Sequence, residues 1–136
     1  TRLASILTNK NHIRPAYGLL FGMPGIPCLY YGSEWGTEGE KAPDNDYALR
    51  PCFDKPQPNE LTDFIRRLIC LRQTHEALGN GSYRNVVIQN HQLVFERKTE
   101  TECIFVAINA SDSPYTAYHG DGKLELPPYS VQYVKL

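Results

Sequence analysis

An acidic segment that also carries aromatic and basic side chains is the part of this sequence best suited to chemistry. It runs from Ser33 to Pro58, and its carboxylates are Glu34, Glu38, Glu40, Asp44 and Asp46. Trp35, Tyr47 and Arg50 lie among them. Aromatic faces with paired Asp and Arg side chains suit a sugar, because rings stack on its C–H faces and charged groups bind its hydroxyls. Composition alone favours the alternative, a solvated acidic loop.

Other catalytic and cofactor motifs are missing from the sequence. No Gly-x-Ser-x-Gly nucleophile elbow is present, since Ser33 is followed by Glu34. The Gly-Asp-Gly-Lys segment at 120–123 lacks the upstream glycine and the following Ser or Thr of a phosphate loop, and it predicts a turn. The histidines are scattered, and His75 lacks the second histidine of a zinc-protease helix. We therefore expect no cofactor and no metal site, and surface or capping roles for the histidines.

The charge and hydropathy of the chain exclude several partners. Its 136 residues include 14 basic and 15 acidic side chains, a net charge of −1. Electrostatic binding to nucleic acid or to an anionic membrane is therefore not expected. No stretch approaches the roughly 20 apolar residues that span a bilayer, and the N-terminal residues lack the layout of a secretory signal.

The chain has four cysteines, at positions 28, 52, 70 and 103. They include no Cys-x-x-Cys pair, which argues against a zinc ribbon or a thioredoxin-like redox site. Cys28 and Cys70 lie inside apolar runs, where a free thiol behaves as a small hydrophobic side chain. Two disulfides are the alternative, but we predict reduced, structural thiols, which favour a cytoplasmic location.

The first half of the chain shows helical periodicity on both sides of a short apolar run. A helix is predicted with Asn11 as N-cap and Gly22 as its stop, and its apolar face is Ile13, Ala16, Tyr17, Leu20 and Phe21. The uncharged run Ile26 to Tyr31 predicts a strand buried on both faces, as in a parallel sheet. A second helix is predicted from the N-cap Asn59, with an apolar face of Leu61, Phe64, Ile65, Leu68 and Ile69.

After residue 79 the hydrophobic period changes to two. Alternation predicts three strands, around 93–97, 104–108 and 131–134. Turn residues separate these runs, at 98–101, 109–114 and 119–123. The pattern is typical of a small antiparallel sheet or sandwich.

The α/β half does not form a complete domain by itself. A parallel strand needs parallel neighbours, and two helices with one strand cannot cover both faces of that strand. We therefore interpret the first half as the end of a larger α/β domain whose earlier strands lie elsewhere.

The segment from Gly25 to Gly36 resembles the eighth-strand signature of glycoside hydrolase family 13, the α-amylase family. It reads Gly-Ile-Pro-Cys-Leu-Tyr-Tyr-Gly-Ser-Glu-Trp-Gly, and the family pattern is Gly-x-Pro, a short apolar stretch and Tyr-Gly-x-Glu. The resemblance extends through residues 16–20 and 59–61, and points to the cyclomaltodextrinase, neopullulanase and maltogenic amylase branch. It implies an α/β + all-β fold. The last strand and helices of a (β/α)8 barrel would occupy 1–79, and a small antiparallel β-sandwich would occupy 80–136.

The resemblance assigns substrate-binding roles to three residues. Asp46 and Arg50 match an Asp-x-x-x-Arg loop that binds glucose units on the non-reducing side, although Tyr47 replaces the usual proline. Trp35 lies nearby in the sequence and is a candidate for stacking on the sugar. The alternative for Trp35 is packing against a neighbouring barrel loop.

Three further residues are assigned to active-site support. Arg2 matches the arginine that closes the seventh-strand motif and helps to order the catalytic carboxylates. Tyr31 and Glu34 belong to the Tyr-Gly-x-Glu pattern, in which the Glu is a buried and structural barrel-top residue.

The family's catalytic carboxylates have no counterpart in this chain. The nucleophilic Asp and the general-acid Glu belong to the fourth and fifth strands, and a further Asp would fall just ahead of Thr1. Retaining glycoside hydrolysis needs two carboxyl groups about 5–5.5 Å apart. We therefore assign no catalytic residue and expect the isolated chain to be inactive.

Two functional hypotheses from different classes follow. The first is the C-terminal part of a retaining glycosidase that acts on cyclodextrins, pullulan or maltooligosaccharides. It would cleave α-1,4 bonds, and α-1,6 bonds as a second linkage. Its partner would be an α-glucan oligosaccharide, bound weakly or not at all by the isolated chain. The second is a stand-alone carbohydrate-binding or structural assembly module, supported by the nine Tyr and one Trp. In either case the exposed flank of the lone strand predicts self-association.

Overall fold

A computed structural model describes residues 1–119 and 122–136. The helices lie in the first 80 residues and are α1 (Leu3–Ile6), α2 (Ile13–Gly22), α3 (Glu60–Thr74) and α4 (Glu76–Asn80). Short 3-10 turns lie at Lys10–His12, Ser33–Trp35 and Tyr47–Leu49. The strands are β1 (Ser82–Ile88), β2 (Gln92–Lys98), β3 (Cys103–Asn109), β4 (Tyr115–His119), β5 (Gly122–Leu126) and β6 (Ser130–Lys135). None of the described helices is long and apolar enough to cross a membrane.

The second half of the chain forms two antiparallel sheets. One sheet has the strand order β1-β2-β3-β6, and β4 pairs with β5 in the other. The three strands predicted from alternation are confirmed as β2, β3 and β6. Gly120 and Asp121, in the predicted turn at 119–123, lie outside the described residues, whereas Gly122 and Lys123 belong to β5.

The two central strands of the four-stranded sheet, β2 and β3, are buried on both faces. On one face Leu78 of α4 packs against Phe95 and Val106 of the sheet, and parts of α2 and α3 complete this cluster. On the other face Val94, Phe105 and Ala107 pack against Ala117 of β4 and Leu126 of β5. Burial on two sides explains why the sequence of β3 is an almost continuous run of apolar residues. The helices therefore share one hydrophobic cluster with the first face of the sheet, and the β4–β5 sheet forms a second cluster with the other face.

Helix α2 occupies the predicted position but has a different start. Asn11 is not its N-cap, because the 3-10 turn Lys10–His12 runs directly into the helix. The cap of this turn is Asn9, whose Oδ1 accepts a hydrogen bond from the Asn11 backbone nitrogen at 3.0 Å. The predicted stop at Gly22 is confirmed.

Helix α3 begins where its cap was predicted. The Asn59 Oδ1 accepts hydrogen bonds from the backbone nitrogens of Leu61 and Thr62, at 3.0 and 3.2 Å. The Thr62 hydroxyl accepts one from the Asn59 backbone nitrogen at 3.1 Å, which completes a capping box. The predicted apolar face then buries Ile65 and Leu68 against α2.

Two arginines bind the C-terminal end of α2. Arg97 of β2 is fully buried, and its guanidinium donates to the carbonyls of Gly22 at 2.8 Å and Gly81 at 2.9 Å. Burial lowers the pKa of Arg97. Arg72 of α3 donates to the Phe21 carbonyl at 2.6 Å. Carbonyls at a helix C-terminus carry partial negative charge, so these contacts stabilise the end of α2 against the sheet.

The predicted strand from Ile26 to Tyr31 is wrong for this structure. The segment has no regular secondary structure, and Ile26 is 96% exposed. Tyr30 and Tyr31 are about half exposed, at 49% and 46%. No strand among residues 1–119 and 122–136 pairs with this segment, so its backbone has no ladder to join. Only Leu29 packs into the cluster between α2 and α3.

The four cysteines are free thiols. Cys28 and Cys70 are exposed, whereas their apolar neighbours in the sequence predicted burial. Cys28 is uncovered because no described strand lies beside its segment. Cys70 is exposed because it lies on the side of α3 that faces away from α2. Its neighbour Ile69 is also partly exposed.

Candidate functional site

Arg2 joins two segments of the candidate site. Its guanidinium donates to the Tyr31 carbonyl and to the Leu49 carbonyl, both at 2.8 Å. Its backbone nitrogen donates to the Gly39 carbonyl at 2.8 Å. The side chain is buried, with 4% of the residue exposed. The cation is therefore used to bind loop carbonyls, and it holds the segment after Ile26 against the turn at Tyr47–Leu49.

Aromatic rings surround this guanidinium. The Arg2 Cζ atom lies 4.9 Å from the ring centroid of Tyr30 and 5.3 Å from that of Tyr31. Such contacts are attractive because the ring faces carry negative charge density. Partial burial, with a further contribution from Tyr30, raises the pKa of the Tyr31 hydroxyl. Arg2 and Tyr31 thus lie in direct contact.

Asp46 and Arg50 form an ion pair on the surface. The Arg50 Nη2 lies 2.8 Å from the Asp46 Oδ2, across the 3-10 turn Tyr47–Leu49. The Asp46 and Arg50 side chains are 37% and 65% exposed, so both remain accessible to a ligand. The turn itself is held to the body of the molecule through the bond from Arg2 to Leu49.

Trp35 packs against a residue that sequence reasoning missed. Its ring centroid lies 4.8 Å from that of Phe53, with the planes at 82°. Tyr31 also contacts Phe53, at 6.0 Å and 79°. Edge-to-face contacts of this kind stabilise aromatic clusters. The signal in the sequence was a third aromatic residue in the acidic segment, three positions after Arg50.

Glu34 is partly buried, whereas the resemblance implied a buried side chain. Its carbonyl accepts a hydrogen bond from the Thr62 hydroxyl at 2.9 Å, which connects it to the start of α3. The neighbouring Ser33 carbonyl accepts a bond from the Tyr17 hydroxyl at 3.0 Å. Burial raises the pKa of Tyr17, and the charge of Glu34 raises it further.

A cleft of about 350 Å³ lies beside this cluster. Its lining includes Arg2, Tyr17, Leu29, Tyr30 and Leu49, so apolar side chains dominate it. Asp46, Arg50 and Trp35 do not line it. The structure therefore brings Arg2, Tyr31 and the turn after Asp46 together, and places Trp35 on the side of Tyr31 that faces Phe53.

The remaining acidic residues of the segment do not form a further centre. Glu38 pairs with Lys10, which also donates to the Ala4 carbonyl. Among residues 1–119 and 122–136, no three His, Cys, Asp or Glu side chains converge closely enough to hold a metal ion.

Comparison with known proteins gives the family context of this site. No protein-family model matches the sequence. The alpha-amylase 2 of Dictyoglomus thermophilum is 31% identical over 119 residues, which are 82% of this chain and 21% of that protein. A cyclomaltodextrinase of Thermoanaerobacter pseudethanolicus is 31% identical over 94 residues, 67% of this chain and 16% of that protein. The chain thus spans only a small part of these relatives.

A solved structure is similar over most of the chain. The debranching enzyme of Nostoc punctiforme matches with a TM-score of 0.79 and 29% identity, over 92% of this chain and 31% of that enzyme. Both kinds of comparison agree with the family that the motif at residues 25–36 resembles. The chain belongs to glycoside hydrolase family 13, the α-amylase family, and is similar to its cyclomaltodextrinases.

Proposed function

We propose that this chain is the C-terminal part of a retaining glycosidase that acts on α-glucans. The bonds cleaved would be α-1,4 linkages, and α-1,6 linkages as a second type, in cyclodextrins, pullulan or maltooligosaccharides. The observation that carries the proposal is the accessible Asp46–Arg50 pair, held beside the Tyr31 segment by Arg2. The names of the relatives, an alpha-amylase, a cyclomaltodextrinase and a debranching enzyme, supply the substrate class.

In this proposal residues 1–79 are the last strand and helices of a (β/α)8 barrel, and residues 80–136 are the β domain that follows. The exposure of Ile26, Tyr30 and Tyr31 supports it, because the eighth strand of a barrel needs the first and seventh strands as neighbours. Pairing with those strands would convert this segment from an exposed loop into a buried strand.

Each site residue has a stated role in the proposal. Asp46 and Arg50 bind hydroxyl groups of a glucose unit through charge-assisted hydrogen bonds. Trp35 contributes apolar surface through its contact with Phe53. Arg2, Tyr31 and Glu34 support the barrel top by holding the segments that carry the binding residues. A cytoplasmic location stays a prediction from the thiols.

Hydrolysis assays test the proposal directly. The 136-residue chain and the longer protein that includes the barrel are assayed with β-cyclodextrin and pullulan. We expect activity only in the longer protein, because the two catalytic carboxyl groups are assigned to earlier strands. Activity of the short chain would overturn the assignment and indicate that carboxylates between Ser33 and Pro58 do the chemistry.

The substitution Asp46→Ala in the longer protein tests the binding role. Loss of hydrogen bonds to a charged group is expected to raise KM about tenfold. The matched control is Glu125→Ala, which removes an exposed pair with Lys123, 2.7 Å apart, in the β domain. An unchanged KM in Asp46→Ala would remove this residue from the binding site.

The alternative is a stand-alone carbohydrate-binding or structural assembly module. The half-exposed Tyr30 and Tyr31 favour it, since exposed aromatic rings serve carbohydrate binding or association. Calorimetric titration of the isolated chain with maltoheptaose separates the two hypotheses. Micromolar affinity would support the module, whereas no heat of binding agrees with a chain that needs its barrel.

A further inference from the structure

Tyr47 is an aromatic residue of the candidate site that has no role in the function proposed above. It opens the 3-10 turn between Asp46 and Arg50, and it is 80% exposed. It is the most exposed of the nine tyrosines, ahead of Tyr118 at 67%. Neither the hydrophobic core nor the cluster around Arg2 uses its ring.

The backbone beneath the ring is held at several points. The Tyr47 nitrogen donates to the Asn45 Oδ1 at 3.2 Å, and the Tyr47 carbonyl accepts from the Arg50 nitrogen at 2.9 Å. The ion pair of Asp46 and Arg50 closes the same turn. An ordered backbone with a free ring is suited to binding, because a tyrosine has only two side-chain torsions to order.

The position of Tyr47 also distinguishes it from Trp35. The Trp35 ring is partly buried and packs on Phe53, which leaves it less free surface for a ligand. Tyr47 is flanked in the sequence by the two charged residues whose hydrogen-bonding chemistry suits a sugar. An aromatic face next to a carboxylate–guanidinium pair matches both surfaces of a glucose unit, its C–H face and its hydroxyl edge.

We propose that Tyr47 is a substrate-binding residue whose ring stacks on the glucose unit bound by Asp46 and Arg50. The inference rests on the proposed function and adds a specificity determinant to it. Oligosaccharides long enough to reach this turn gain the stacking contact, and shorter ones do not. Tyr47 therefore sets a preference for longer α-glucans, and we expect the effect in KM, as for an interaction made equally with the bound substrate and the transition state.

The test uses the longer, barrel-containing protein with maltoheptaose and maltotriose as substrates. Tyr47→Ala is expected to raise KM for maltoheptaose about fivefold with an unchanged kcat. Tyr47→Phe retains the ring and is expected to keep the KM of the unsubstituted protein. Maltotriose is the short substrate, and in this proposal it ends before the turn, so we expect no change in its KM in either variant. Tyr118→Ala is the matched control for removing an exposed tyrosine, on β4.

Three results would overturn the inference, and only the third would also reject the proposed function. An unchanged KM in Tyr47→Ala, with a raised KM in Asp46→Ala, rejects the stacking role and leaves the proposed function intact. If Tyr47→Ala lowers the melting temperature and reduces the hydrolysis of both substrates equally, Tyr47 is structural. Absence of hydrolysis by the unsubstituted longer protein rejects the proposed function, and the inference with it.

Discussion

Glu102 connects three elements at the junction of the helices and the sheets. Its Oε1 lies 2.7 Å from the His75 Nδ1 and 3.1 Å from the Lys135 Nζ. Its Oε2 accepts a hydrogen bond from the Ala77 backbone nitrogen at 3.1 Å, at the start of α4. These contacts, that of His75 above all, lower the pKa of Glu102 to about 2. One carboxylate thus connects the α3–α4 junction to β3 and β6.

Acid unfolding of the chain tests this role of Glu102. Because the folded-state pKa lies below the ordinary value of 4.5, the ionised group stabilises the fold above about pH 4.5. That contribution is lost as the pH falls from 4.5 to about 2. Glu102→Gln is therefore expected to be less stable than the unsubstituted chain at pH 6, with the difference shrinking toward pH 2. Denaturant titrations across this range measure it, and a difference that stays constant would contradict the assignment.

Helix α2 lies so close to the sheet that two of its positions have no room for a side chain. A Cβ atom at Gly18 would lie 2.6 Å from the Val131 Cγ1, and one at Gly22 would lie 2.8 Å from the Phe95 Cζ. Valine is branched at Cβ and has little rotamer freedom with which to yield. The glycines therefore determine the distance between the helix and the strands.

Two glycine-to-alanine substitutions with opposite expected signs test this packing. A methyl group added at Gly79 of α4 would meet no atom within 4 Å, so Gly79→Ala is expected to stabilise by up to about 1 kcal/mol through helix propensity. Gly18→Ala has the same propensity gain but meets Val131, and overpacking of this kind costs about 1–3 kcal/mol. Thermal unfolding of both variants measures the signs. Stabilisation by Gly18→Ala would show that β6 can move away.

In the part of the chain that the structure describes, apolar clusters cover both faces of the sheet, whereas the flank that starts at Ile26 is uncovered. The sheet is covered by helices on one face and by the β4–β5 sheet on the other. Beyond α2 and α3, the segment that starts at Ile26 has no such cover, and Ile69 of α3 beside it is 37% exposed. Apolar surface of this kind normally marks an interface.

Light scattering of the isolated chain at high micromolar concentration tests the predicted self-association. We expect a mass above the 15.5 kDa of one chain. Ile26→Glu should restore the monomer, because it places a charge on the uncovered flank. Ile88→Glu is the matched variant, since Ile88 is 69% exposed on the edge strand β1, away from that flank. A monomer at all concentrations, or dissociation by Ile88→Glu alone, would contradict association through this flank.

Local patterns in the sequence predicted the elements whose stability is local. The cap at Asn59 and the apolar face that follows it specify α3, because the capping residues and the buried stripe lie within the helix itself. Alternation predicted β2, β3 and β6 because the period of two lies within each strand, although the hydrogen bonds that hold them come from neighbouring strands. The family motif at residues 25–36 is also a property of the sequence alone, and relatives agree with it.

Only the tertiary structure decided which surfaces these elements meet. The run from Ile26 has the composition of a buried strand, yet a strand forms only when partners supply hydrogen bonds, and none of the described strands does. Asn11 does not cap α2, because a 3-10 turn that is itself capped by Asn9 runs directly into the helix. The contact of Trp35 with Phe53 and the buried Arg97 depend on residues distant in the sequence. Hydrophobic period and capping residues thus predicted the elements, and the motif at residues 25–36 indicated the family. Burial and contact partners are properties of the assembled chain, so only the fold decided them.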